Sequence, residues 1–343
     1  MKKRILSTWF VCAFLFPILA QDLHFSQIMQ SPNLLNPGAV GVYDGWERVA
    51  IHQRNQWLGS NTQFTSTGLN ADATFFKNVY KPKAHIGVGL QFYNDAISVA
   101  NFGTQTGALT LSGILPINRS SQFSLGIQAG FGSKRGDISK LIYDSQWAGS
   151  GYDPTLLSGE LNGLNSFAYF DASAGVFYQY DGDRSTFARN NDTKLQVGFA
   201  VYHANAPLLK YHVGTTEKLE RKYVLMTNFT TDVPNSSWSY DIQAVQFIQG
   251  GHYETLLGGI FRRRFSESSK TTGFKRDASI GFGCYARLKD AIIPTFQVDW
   301  KGFRFGLSYD NTYSTLRKAA GMSSVEFSLS YVNLHHALFK ARR

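Results

Sequence analysis

The sequence has few cysteines, few charges and, after residue 20, no long hydrophobic run. Its two cysteines, Cys12 and Cys284, exclude a disulfide framework. No later stretch offers the roughly 18 consecutive apolar residues that a transmembrane helix needs. Charged residues are only 17% of the chain. The net charge is +10, but the basic residues form neither a basic helix nor a cluster with aromatic residues. Nucleic acid is therefore not an expected partner.

The first residues have the pattern of a secretory signal peptide. Basic residues at 2–4 precede an apolar run over 5–20, which ends in Ala20 before a polar pair. We expect residues 1–20 to direct Sec-dependent export and to be removed. The alternative, an uncleaved membrane anchor, is disfavoured because the run is short and no basic cluster follows it. Cys284 would then be the only cysteine of the mature chain, as a small lipid-facing residue of a strand.

Apolar and polar residues alternate with a period of two through most of the chain. Because successive side chains of a strand point to opposite faces, Phe327 and Leu329 should face lipid while Glu326, Ser328 and Ser330 face an interior. Aromatic residues reach 15% and there are 32 glycines, as expected for aromatic girdles and many tight turns. The sequence predicts an all-β protein, a transmembrane antiparallel β-barrel.

Fourteen strands are predicted, an even number as is usual for single-chain bacterial barrels. They are 46–57, 64–76, 84–95, 102–115, 121–134, 167–181, 193–203, 221–232, 237–248, 253–265, 276–289, 292–300, 302–311 and 322–333. The barrel thus spans 46–333, and residues 334–343 form a basic tail. A soluble sandwich is the alternative, but its apolar faces must meet in a shared core, which one unbroken meander does not favour.

Loop lengths predict an orientation. The longest connections, 135–166, 204–220 and 312–321, all join an odd strand to the next even one. With the amino terminus in the periplasm, these loops lie outside, which is the arrangement of outer-membrane barrels. We therefore expect the mature protein in the outer membrane, in contact with its lipid.

The stretch between signal peptide and first strand, residues 21–45, is apolar but lacks strand alternation. Pro32 and Pro37 forbid a regular strand or helix here, and Asn33 and Asn36 favour turns. So apolar a segment would not remain loose in water. We predict that it packs at or in the barrel mouth as a plug-like segment.

Chemical sites are poorly supported. His335 and His336 are adjacent and cannot share a strand face, so they do not form a metal site by themselves. The acidic loop at 136–166 lacks the spacing of a calcium loop. His203 with Asn205 is the nearest approach to a catalytic set. We expect no enzyme activity, no cofactor and no metal.

Several landmarks resemble the PorP/SprF family of type IX secretion system outer-membrane proteins. They are Gln21-Asp22, Phe25-Ser26-Gln27, Asn33, Leu35-Asn36-Pro37, Ala39-Val40-Gly41, Arg54-Asn55-Gln56-Trp57, His203, Pro207 and the closing stretch 321–331. His24 and Gly38 depart from the usual pattern. The amino-terminal segment together with the Arg-Asn-Gln-Trp box is the more specific part of the resemblance.

The resemblance implies a fourteen-stranded barrel that accompanies the type IX translocon. Its partners would be periplasmic and outer-membrane components of that machinery and a secreted cargo, such as a gliding adhesin, bound through the cargo's C-terminal domain. Partner-binding or plug residues are then expected among the landmarks: Phe25, Asn33, Leu35, Asn36, Pro37, Arg54, Asn55, Gln56, Trp57 and His203. For the Arg54 to Trp57 box, an interfacial Trp anchor beside a paired lumen arginine is an equally good interpretation.

A second function from another class remains open. Polar residues predicted to face inward, Gln91, Gln128, Arg304 and Asp310, would line the path of a passive channel or small-molecule transporter. The amino-terminal segment discriminates between the two functions. A barrel that it fills should show little spontaneous conductance, whereas a porin conducts steadily.

Overall fold

The barrel closes on itself, and its fourteen strands follow one another around the wall in sequence order. In this computed structural model the described residues are 25–27, 30–58, 63–78, 82–97, 102–136, 141–159, 166–182, 193–210, 217–266, 278–314 and 323–334. Every neighbouring pair is antiparallel, and the first strand pairs with the last. The predicted fold class is therefore confirmed.

The strands match the predicted segments closely. They are β1 (Glu47–Gln56), β2 (Phe64–Phe75), β3 (His85–Ile97), β4 (Gly103–Pro116), β5 (Ser121–Arg135), β6 (Phe167–Asp181), β7 (Thr193–Tyr202), β8 (Lys222–Asp232), β9 (Trp238–Gln249), β10 (His252–Ser266), β11 (Ala278–Arg287), β12 (Ala291–Trp300), β13 (Phe303–Thr312) and β14 (Ser323–Val332).

Several predicted strands were one or two residues too long at an end, and three of these ends share a cause. Trp57, Phe76 and His203 were placed at the ends of their strands, but each has a positive φ, of 61°, 65° and 55° respectively. A non-glycine residue in this left-handed region turns the chain away from the strand direction. The backbone therefore leaves the ladder at each of these positions.

The predicted phase of the strands is confirmed in β14. Phe327 and Leu329 are 45% and 46% exposed on the outer face, whereas Glu326 and Ser330 are 0% and 6% exposed on the inner face. Cys284 is likewise exposed on the outer face. Of the residues expected inside, Gln91, Gln128 and Asp310 are buried there.

One side of the lumen is apolar rather than polar. The inward side chains of β8 to β12 include a buried cluster formed by Val224, Met226, Val245, Phe247, Leu256, Ile260, Tyr285, Ala291 and Ile293. These strands depart from the strict alternation of outward apolar and inward polar residues that porins show. The reason is that they pack against Leu34 and Leu35 of the amino-terminal segment, which belong to the same cluster.

Tight hairpins occur at both ends of the barrel. Gly250 and Gly251 join β9 to β10 with φ of 54° and 83°, and Lys301 and Gly302 join β12 to β13 with φ of 50° and 88°. Positive φ at both central residues matches the twist of the flanking strands. Within the described part of the chain, no helix has the length and hydropathy needed to cross a membrane. Two short 3-10 turns, Pro32–Leu34 and Pro37–Ala39, precede β1.

Candidate functional site in the barrel lumen

Residues 25–27 and 30–46, which we call the amino-terminal segment, lie inside the barrel. Their partners are inward-facing residues of many strands. At one end of the segment, the Tyr43 hydroxyl donates to the Asp72 carbonyl at 2.8 Å, and Lys77 Nζ donates to the Tyr43 carbonyl at 2.7 Å. Burial raises the pKa of Tyr43 well above its usual value, so this hydroxyl stays protonated and remains a donor.

Asp72 on β2 organises the next contact. Its carboxylate accepts two hydrogen bonds from Arg48, both at 2.8 Å, and a third from the Gly41 backbone N–H at 2.8 Å. The bidentate geometry is the strongest form of an arginine–carboxylate pair. The carbonyl of Val40 accepts from the Ser112 hydroxyl at 2.6 Å. The segment is thus tied to β1, β2 and β4 through charged and polar groups.

The turn at Asn36 rests on glycines of the barrel wall. Asn36 Nδ2 donates to the Val176 carbonyl at 2.8 Å, and its Oδ1 accepts from the Gly38 N–H at 2.8 Å. A Cβ added at Gly175 would overlap the Asn36 amide, and one at Gly126 would overlap the Pro37 carbonyl. Glycine is required at these strand positions because the Asn36 side chain approaches Gly175, and the Pro37–Gly38 backbone approaches Gly126, so closely.

The middle of the segment combines a polar and an apolar contact. Gln91 Nε2 donates to the Asn33 carbonyl at 2.7 Å, and Asn33 Nδ2 donates to Asn70 Oδ1 at 3.0 Å. Leu35 is only 1% exposed and belongs to the apolar cluster of β8 to β12. The leucines therefore bury apolar surface against one wall while the asparagines satisfy the polar groups of the other.

The far end of the segment meets a buried charge cluster. The backbone N–H groups of Ser26 and Gln27 donate to the Glu326 carboxylate at 2.6 and 2.8 Å. The Ser26 hydroxyl donates to Asp310 at 2.9 Å. Asp310 in turn pairs with Arg54 at 3.0 Å and with Arg287 at 2.9 Å. Charged residues of four strands, β1, β11, β13 and β14, thus gather around Ser26 and Gln27.

Aromatic contacts complete this end. The Phe25 ring lies 5.2 Å from the His52 ring and 6.3 Å from the Tyr93 ring, centroid to centroid. His52 Nε2 is 2.9 Å from the Ser31 hydroxyl. These contacts come from β1 and β3, so β1 contributes to both the charged and the aromatic contacts of this end.

The structure brings together only part of the predicted set. Phe25, Asn33, Leu35, Asn36, Pro37 and Arg54 all contact the lumen interior. Asn55 instead accepts from Gln53 at 3.1 Å on the outer face, and Trp57 packs edge-on against Phe64 at 4.5 Å. Gln56 is the last residue of β1 and lies opposite Phe64 in the ladder. His203 lies apart from the segment's anchors and pairs with Asp171 at 2.8 Å.

Sequence reasoning missed the acidic and basic partners of the segment. Asp72, Arg287 and the anchoring role of Glu326 were not anticipated, because they lie up to 300 positions from their partners. The one sign of these partners in the sequence was a charged residue at an inward-facing position of a strand. Among the described residues, no group of three or more His, Cys, Asp or Glu side chains is arranged to hold a metal ion.

A closed antiparallel barrel with an apolar outer face defines an outer-membrane β-barrel protein. The sequence matches the type IX secretion system membrane protein family PorP/SprF over residues 18–331. The chain belongs to this family, and it is a type IX secretion membrane protein of the outer membrane. No protein with a curated description matches it.

Several solved outer-membrane proteins are similar to this chain at low identity. The toluene transporter TbuX of Ralstonia pickettii is 9% identical, with 89% of this chain and 93% of that chain covered and a TM-score of 0.47. A TodX monoaromatic hydrocarbon channel mutant is 10% identical, with coverage of 89% and 94% and a TM-score of 0.46. BamA of Haemophilus ducreyi is 8% identical, with coverage of 84% and 70% and a TM-score of 0.42.

Proposed function

We propose that this barrel is an accessory component of type IX secretion that supports the secretion or surface attachment of one particular cargo, such as a gliding adhesin, through the cargo's C-terminal domain. Membership of the family gives the secretion system. The amino-terminal segment is the observation that carries the finer role, because it is anchored across the lumen and leaves the barrel poorly suited to steady diffusion of solutes.

The number and kind of anchors support this proposal. The segment contacts β1 to β7, β13 and β14 through hydrogen bonds, ion pairs or close packing, and it adds leucines to the apolar lining of β8 to β12. A porin needs a water-filled path lined by polar groups. Here one side of the lumen is apolar and the other is occupied, so the segment closes the barrel until a partner acts on it.

Partner contact is proposed at the two ends of the segment. One end of the segment lies near β1 and β2, at the end of the barrel where most connections are short turns. The groups at this end are Tyr43, Lys77 and the ion pair of Asp44 with Lys194, at 2.8 Å. In the predicted orientation this end faces the periplasm, where other parts of the machinery lie. The other end of the segment lies toward the long-loop side, where Arg54 is near the end of β1 and His203 directly follows β7.

Affinity purification from the native envelope tests the secretion role. We expect the barrel to recover a large secreted protein with a type IX C-terminal domain, or a periplasmic component of the machinery. Its deletion should abolish surface display of that cargo while small-solute permeability stays unchanged. Recovery of the barrel alone, with a defect only in solute uptake, would overturn the proposal.

Conductance separates this role from that of a passive channel. In planar bilayers the intact barrel should be closed most of the time, and removal of residues 21–41 should leave an assembled barrel with steady openings. The Gly113→Ala variant is a matched control, because a Cβ at this position meets no atom within 4 Å. Steady conductance by the intact barrel, equal to that of the truncated one, would favour the channel.

A further inference from the structure

A cavity of about 150 Å³ lies between the amino-terminal segment and the long-loop end of the barrel. Strand ends that lead into the β3–β4, β5–β6 and β7–β8 connections form its walls, and two residues of the segment form its floor. Its lining includes Phe25, Leu34, Tyr93, Tyr169, Tyr202 and Phe247. The proposed secretion role assigns no ligand to this cavity.

The walls are rich in aromatic rings. Five of the lining side chains are Phe or Tyr, and they come from the segment and from β3, β6, β7 and β9. Aromatic pairs are stabilised by edge-to-face and offset stacking beyond simple area burial. An apolar cavity of about 150 Å³ accepts one benzene ring. The size and composition of the cavity therefore match one aromatic ring.

The charged groups of the lining, Asp95, Lys134, Asp171 and Lys222, all interact with other groups of the protein. Asp171 pairs with His203 at 2.8 Å, and Asp95 accepts from the Ser66 hydroxyl at 2.6 Å. Lys222 Nζ lies 5.0 Å from the centre of the Phe247 ring, a cation–π contact. A ligand that carried a net charge would have to displace one of these partners. An uncharged ligand enters without that cost.

Polar uncharged groups line the rest of the cavity. They are the amides and hydroxyls of Gln91, Gln128, Thr104, Thr106, Tyr93, Tyr169 and Tyr202. Groups of this kind donate to and accept from a hydroxyl substituent. We infer that the cavity is a binding site for one uncharged aromatic ring bearing a hydroxyl group, either a free phenol or the side chain of a tyrosine in a secreted protein.

Binding at this site is coupled to the amino-terminal segment. Phe25 and Leu34 form the floor, the Phe25 ring stacks 6.3 Å from Tyr93, and the Tyr202 hydroxyl donates to the Leu34 carbonyl at 3.1 Å. A ring in the cavity contacts the segment directly and favours the conformation in which the segment is seated. The ligand should therefore slow exchange of the amides of residues 25–27 and 30–36.

Calorimetry on the purified full-length barrel in detergent tests the inference, with p-cresol as the probe. We expect saturable binding, and binding of 4-methylcyclohexanol weaker by about tenfold, because the ring stacking is lost. Equal binding of the two compounds, or no saturable binding of p-cresol, would overturn the inference. Partitioning of p-cresol into the detergent is measured with empty micelles and subtracted.

Two leucine substitutions on neighbouring strands provide a variant and its control. Ala108→Leu on β4 projects into the cavity and should abolish p-cresol binding. Ala129→Leu on β5 adds the same side chain to the outer face, as the partner of Leu109, and should bind p-cresol normally. Heat-modifiable migration on a gel verifies that both variants fold. Normal p-cresol binding by a folded Ala108→Leu variant would contradict the placement of the site.

N-acetyl-tyrosinamide distinguishes the two sources of the ring. If it binds at least as tightly as p-cresol, the site accepts a tyrosine within a protein. If only p-cresol binds, the site is one for a free phenol, because the wall excludes a peptide backbone. Both results support the aromatic site. Failure of both compounds to bind removes it.

Discussion

The carboxylate of Glu326 in the last strand accepts both backbone N–H groups at the tip of the amino-terminal segment, with the Ser26 nitrogen 2.6 Å away. The two residues are 300 positions apart in the chain. Glu326 is fully buried, so this contact is shielded from solvent and from screening by salt. It joins the start of the described chain to the strand that closes the barrel.

Replacing Glu326 by alanine should release the tip of the segment. Two buried N–H donors would lose their acceptor, and each unsatisfied donor costs about 1–3 kcal/mol. Hydrogen exchange by mass spectrometry should show faster exchange at residues 25–27. Ser330→Ala, on the same inward face of β14, should leave exchange unchanged. Equal protection in both variants would mean that Glu326 does not anchor the segment.

A methyl group at Gly126 should displace the Asn36–Pro37 turn. The added Cβ would overlap the Pro37 carbonyl, and overpacking of this kind costs about 1–3 kcal/mol. Limited proteolysis should then cleave the segment in Gly126→Ala but not in Gly113→Ala. If both variants resist the protease, the turn can adapt to the extra volume and the close approach is not essential.

Truncation of Leu35 tests the apolar packing of the amino-terminal segment against the barrel wall. Leu35→Ala leaves a cavity against the inward residues of β8 to β12, and such truncations cost about 2–5 kcal/mol. The segment should exchange faster, while the barrel still migrates as a folded species. Leu225→Ala, at an outward position 51% exposed, is the matched control. A larger effect of Leu225→Ala on the segment would contradict this packing.

A charge on the outer face should impair assembly into the membrane. Leu329→Arg places a guanidinium at mid-strand in the lipid-facing row, at a cost of about 2–4 kcal/mol near the bilayer midplane. Thr106→Arg, which faces the cavity inside the barrel, should be tolerated far better. Folding yield into lipid vesicles measures the difference. Ser330→Arg is a poorer control because Ser330 lies opposite Arg304 in the ladder. Equal yields would reverse the assignment of the two faces.

The wall of the barrel was predictable from sequence because strand alternation is local. Phe327, Glu326 and their neighbours show within a few positions which side chains face the lumen and which face lipid. Lipid stabilises the apolar outward side chains whatever fills the lumen. The ends of strands were less certain. His203 and Trp57 satisfy the alternation, yet a left-handed φ takes each out of the ladder, and no residue type at those positions signals it.

The interior was less predictable because its partners are distant in sequence. The sequence showed that residues 21–45 are apolar and rich in turn-forming residues. The position of the amino-terminal segment in the barrel, however, depends on Asp72, Glu326 and glycines of β5 and β6. The apolar inward residues of β8 to β12 broke the strict polar alternation. That departure was the available sign that something apolar packs against these strands.

The tip of the segment spans the junction at which the first and last strands meet. Phe25 and Ser31 contact His52 on β1, while Ser26 and Gln27 bind β13 and β14. The docking site for the tip is therefore absent until synthesis and insertion are complete and the final strand has paired. Closure of the wall and burial of the tip become a single late event of biogenesis. A barrel stalled before closure would leave the backbone N–H groups of Ser26 and Gln27 without their Glu326 acceptor.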